Sequence, residues 1–167
     1  MTWTNKDGLV VRFDTERSDS AVSGHANAVK QYIVVDLPDA TALVDTLGTS
    51  YPPAEDAPSI PASSIITNAW MAATTDFTSG GAATLDIGLV DATGAIIDAD
   101  GIAPDLALAE LVDGAGTGVI GCDGAYVANA GAAGQLVDAV AYIGFSYETA
   151  VFTAGAGVLV VEYIKIA

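Results

Sequence analysis

Residues 83–91 (ATLDIGLVD) put Leu85, Ile87 and Leu89 on one side of an extended chain and Asp86, Gly88 and Val90 on the other. A period of two fits a strand and not a helix. Runs of this kind recur, cut by turn residues. Residues 31–37 (QYIVVDL) read as a strand stopped by Pro38, with a second short segment at 41–47, and residues 63–72 and 139–147 read as further strands. Residues 157–166 (GVLVVEYIKI) are apolar on both faces, which predicts a central strand covered on both sides. Asp91-Ala-Thr-Gly94 predicts a turn with a short return over 95–98, and residues 118–121 and 125–129 are weaker strand candidates. Pro52, Pro53, Pro58 and Pro61 make 48–62 a loop or a protected sheet edge.

One stretch predicts a helix. Residues 104–112 (PDLALAELV) have Pro in the first turn, Asp105 early and Gly114 just beyond the end. Many short antiparallel strands with a single helix in a connection predict a mainly β chain, an antiparallel β-sandwich of jelly-roll type. A length of 167 residues suits one domain with a short arm. Residues 9–13 are β-prone after the Asp7-Gly8 turn signal, and residues 14–28 are small and polar. We therefore divide the chain into an extended N-terminal arm, 1–30, and a sandwich body, 31–167.

The charge separates the same two parts. Residues 1–30 hold Lys6, Arg12, Arg17 and Lys30 against Asp7, Asp14, Glu16 and Asp19. From residue 31 onward only Lys165 opposes the remaining acids, so the body carries the whole formal charge of −16. Binding to DNA or RNA needs Lys and Arg to displace counterions from phosphate, and an anionic membrane surface makes the same demand. No nucleic-acid or membrane partner is expected. No run reaches the length of a membrane-spanning helix, and the polar start lacks an apolar signal core, so a soluble product made in a cytoplasm is expected.

Motifs for chemistry are sparse. Gly116-Thr-Gly118-Val-Ile-Gly121 matches a dinucleotide fingerprint in letters, but a predicted helix precedes it where a strand is needed. His25, the only histidine, lies in the polar segment, and no G-x-S-x-G is present. Cys122, the only cysteine, reads as a small buried residue. The best metal candidate is Asp98-x-Asp100-Gly101, two carboxylates beside a glycine bend, a weak calcium site without the third ligand or distal Glu of a calcium loop. No cofactor and no catalytic residues are expected. Trp70 and Phe145 read as core, whereas Trp3 sits in the arm.

Asp76-Phe-Thr-Ser-Gly-Gly81 and Val151-Phe-Thr-Ala-Gly-Ala-Gly157 are similar to each other, and both are expected to lead into a strand. The opening residues 2–13 (TWTNKDGLVVRF), residues 76–89 and residues 149–155 also resemble the start, middle and end of a group of tailed-bacteriophage virion proteins, many from marine phages. In that group the usual role is capsid decoration, or cement. The resemblance implies a structural virion protein on the capsid exterior that binds the major capsid protein, without enzymatic activity, and forms a homotrimer. An arm ordering on the capsid would bury Trp3, Leu9, Val11 and Phe13, with Arg12 among them, and that burial would offset the conformational entropy lost. The alternative is a head-fibre, tail or host-glycan-binding module with a jelly-roll fold. An enzyme would need an acid pair or triad that the sequence does not spell out.

Overall fold

A computed structural model describes residues 2–4, 10–12, 30–43, 57–112, 119–127 and 134–166. The strands are β1 (Thr2–Thr4), β2 (Val10–Arg12), β3 (Lys30–Leu37), β4 (Ser59–Ile60), β5 (Ser64–Ser79), β6 (Thr84–Val90), β7 (Ile96–Ala107), β8 (Ile120–Gly121), β9 (Leu136–Val137), β10 (Ala141–Glu148) and β11 (Phe152–Lys165). β1 and β2 form an antiparallel pair with Trp3 opposite Val11. The other strands form two antiparallel sheets, one in the order β4-β10-β6-β7 and one in the order β3-β11-β5-β8, with β9 also on β5.

The alternation that marks these strands in sequence is what joins the sheets. Leu85, Ile87 and Leu89 of β6 and Ala141, Ile143 and Phe145 of β10 belong to the same buried cluster as Ile66, Ala69 and Met71 of β5 and Leu159, Val161 and Tyr163 of β11. Each large aliphatic side chain in such a cluster contributes about 1.5–3 kcal/mol relative to exposure. The expected turn at 91–94 is present: Asp91 Oδ1 accepts from the N–H groups of Thr93 (2.7 Å) and Ala95 (2.9 Å), and Gly94 takes φ +83°.

Two expectations need correction. β11 is central, between β3 and β5, but only one of its faces is fully covered: Val158, Val160 and Ile164 are half-buried on the other. The strand buried on both faces is β6, where Asp86, Gly88 and Val90 are as enclosed as the core residues. The reason is a bulge in β7. Between the pairs Ile87↔Ala103 and Leu89↔Asp98, β6 advances two residues while β7 advances five, and the surplus folds over Gly88. A Cβ at Gly88 would lie 2.3 Å from the Ala99 carbonyl oxygen.

The expected helix over 104–112 is also absent. Residues 104–107 finish β7, with Leu106 opposite Leu85 and Ala107 opposite Thr84, and a turn follows in which Glu110 N–H reaches the Ala107 carbonyl (2.9 Å). Asp105 adopts φ +49°, outside the helical region, while its N–H donates to Asp86 Oδ1 at 2.7 Å. Pairing with β6 and burial of Leu106 outweigh helix propensities of a few tenths of a kcal/mol per residue. The one helical element among the described residues is a 3-10 turn at Ala40–Ala42, capped by Asp39.

Candidate functional site

The outward face of the five-stranded sheet carries the most organised polar group. Glu162 of β11 is 7% exposed in a run otherwise apolar from Val158 to Ile164. Its carboxylate accepts from Tyr32 Oη (2.9 Å) and from the Thr67 hydroxyl, and Lys30 Nζ lies 2.7 Å away. The backbone supplies this geometry. Glu162 pairs with Asn68 and the next residue, Tyr163, pairs with Ile66, so a bulge leaves Thr67 as the extra residue beside Glu162. The ammonium of Lys30, then the hydroxyls of Thr67 and Tyr32, hold the Glu162 carboxyl below its ordinary value against the opposing effect of burial. This cluster ties β3, β11 and β5 together at the residue where the expected arm meets the body.

Beside it runs an apolar row, Val34 opposite Val160 and Val160 opposite Trp70, with Trp70 opposite Gly121 of β8. Tyr32 and Val34 are more than half exposed, at 57% and 56%. A wide-mouthed groove of about 380 Å³ lies against Asn68, Trp70, Val119 and Gly121, and a Cβ at Gly121 would meet open space. A half-buried indole beside an amide makes this groove the other candidate for recognition.

Asp86, Asp98, Asp100, Asp105 and Glu148 lie on the four-stranded sheet. Asp86 is buried, and burial first, then the negative charges of Glu148, Asp105 and Asp100, push its carboxyl above the ordinary value. Asp98 and Asp100 are neighbours on β7, with Asp100 N–H directed at Asp98 Oδ1 (3.3 Å). Burial, then the Asp100 side chain, raises Asp98. No group of three or more His, Cys, Asp or Glu side chains able to hold a metal ion occurs among the described residues. Among the described residues Asp98 and Asp100 are thus neighbours with no third His, Cys, Asp or Glu side chain grouped with them.

Of the expected contact residues, Trp3 lies in β1 and Val11 and Arg12 in β2, whereas Leu9 and Phe13 fall outside the described residues. His25, Gly116 and Gly118 also fall outside them, and Gly121 ends β8. Cys122 is buried and its thiol is pushed up to about 12, first by burial and then by Asp123, which suits a packing role. No known protein family, characterised protein or solved structure matches the chain. Among the described residues no helix is long and apolar enough to cross a membrane.

The Glu162 cluster is not among the sites expected from the sequence. Its signal was present, a lone acid inside an apolar strand, but the partners Lys30, Tyr32 and Thr67 are brought to it only by strand register and a bulge.

Proposed function

We propose that the protein is a capsid decoration protein of a tailed bacteriophage, a jelly-roll-type sandwich that sits on the outside of the head and reinforces the major capsid protein lattice. Residues 1–30 act as the arm that reaches the capsid, and the acidic body faces solvent. The observation that carries this reading is the combination of the three resembling stretches with a fold in which two of them make one unit. Residues 76–79 and 152–155 run antiparallel as the end of β5 and the start of β11. A polar network of Lys30, Tyr32, Thr67 and Glu162 at the root of the arm supports the same reading, because it fixes to the body the point from which the arm departs.

The half-buried Trp70 beside Asn68 and the open Gly121 favours a second reading, a head-fibre, tail or glycan-binding module that stacks a sugar ring on the indole. Removal of residues 1–13 separates the two. Under the first reading the truncated protein stays folded and no longer attaches to capsids, while Trp70→Ala leaves attachment unchanged. Retained occupancy after truncation contradicts the first reading.

A further inference from the structure

We infer that β3 is a self-association edge, at which two copies of this chain pair antiparallel and join their five-stranded sheets into one continuous sheet. Unpaired sheet edges invite such pairing, and proteins blunt them with short strands, bulges, proline or charge. Three of the edges here carry only short or interrupted strands. β4 is two residues long between Pro58 and Pro61. β7 is interrupted by register shifts and contains Pro104. β8 and β9, on the far side of β5, are two residues each. β3 differs: eight residues pair with β11 from Lys30↔Ile164 to Leu37↔Gly157 without a shift, and among the described residues no strand lies on its other side.

The sequence of β3 is complementary to itself. Even-numbered residues from Lys30 to Asp36 share the outward face, as the Tyr32–Glu162 contact and the exposure of Val34 show. A two-fold pair centred on Ile33 sets Lys30 against Asp36 twice and Tyr32 against Val34 twice. Its other face carries Ile33 against Ile33 and Gln31 against Val35. A slip of two residues either way keeps the faces matched but separates the charges: one centre gives Lys30 opposite Val34, the other Tyr32 opposite Asp36. Opposite charges and aromatic–β-branched pairs directly across strands are the favourable combinations. The charge pattern therefore selects a second copy as the occupant and selects one register. The pair is two-fold, where the resemblance implies three-fold assembly, and the inference stands on this edge alone, independent of capsid binding.

The test is the mass of the full chain by analytical ultracentrifugation over a wide concentration range, for wild type, Asp36→Lys and Val34→Lys. Both substituted side chains are exposed, so circular dichroism is expected to show an unchanged fold. Wild type is expected to be a dimer. Each variant should dissociate at about ten-fold higher concentration or more, since each introduces two charge defects across the dyad. Backbone amides of β3 should exchange more slowly in the dimer than in Val34→Lys. A wild-type monomer or trimer throughout, or a dimer indifferent to both substitutions, overturns the inference.

Discussion

Phe77, near the end of β5, and Phe152, at the start of β11, meet edge to face with ring centroids 5.3 Å apart and planes at 81°. The contact joins the two similar stretches of the chain, and the polar residues around it repeat the relationship. The hydroxyls of Thr78 and Thr153 are 2.9 Å apart, and Ser79 Oγ donates to the Val151 carbonyl at 2.8 Å. The stretches are therefore one strand end and one strand start that pair directly, rather than two equivalent starts. Edge-to-face pairs of this kind add about 0.5–1.5 kcal/mol beyond area burial.

Gly155 fixes how close these strands come. It takes φ +144°, and a Cβ there would stand 2.6 Å from the Phe77 ring. Gly155→Ala should lower stability by about 2–4 kcal/mol, combining backbone strain with overpacking. Urea unfolding followed by tryptophan fluorescence measures the loss, and Gly155→Ala/Phe77→Leu should recover part of it by vacating the ring edge.

Glu162→Gln should cost about 1–2 kcal/mol, toward the low end for hydrogen bonds to a charged group because the Lys30 ammonium remains largely in solvent. The sign of the pH effect follows from the lowered carboxyl. Wild type gains stability from ionised Glu162 above the unfolded value near 4.5 and loses it as pH falls through the lower folded value. Denaturant midpoints measured between pH 3 and 7 should fall less steeply on the acid side in the variant than in wild type.

Asp86 works in the opposite direction. Its folded carboxyl lies above the ordinary 3.8, so the folded chain holds that proton more tightly than the unfolded chain. Its contribution is most favourable below that ordinary value and declines as pH rises through the folded one. Asp86→Asn keeps an oxygen for the Asp105 N–H and removes a buried charge among other acids. A gain of about 0.5–1 kcal/mol at pH 7 is expected, shrinking toward zero in acid, with thermal unfolding at both pH values as the measurement.

Strand existence was legible in the sequence because period two and turn chemistry are local. β6, β10, β11 and the Asp91 turn lie close to where the alternation and the glycines put them. The residues 104–112 misled because Pro, Asp and a run of Leu and Ala satisfy helix rules locally, while the deciding partner, Asp86, is far away in sequence. Burial on both faces belongs to β6 and not to the more apolar β11, because the covering bulge of β7 has no local signature beyond Gly88 and Gly101. The Glu162 cluster was hidden for the same reason: Tyr32 and Glu162 are 130 residues apart.

The copy number of this chain per major capsid protein in purified virions, by quantitative mass spectrometry, tests capsid decoration most directly. A ratio near one-to-one is expected, or a fixed simple fraction amounting to hundreds of copies per particle. A few to a few tens of copies, or absence from virions, would contradict it.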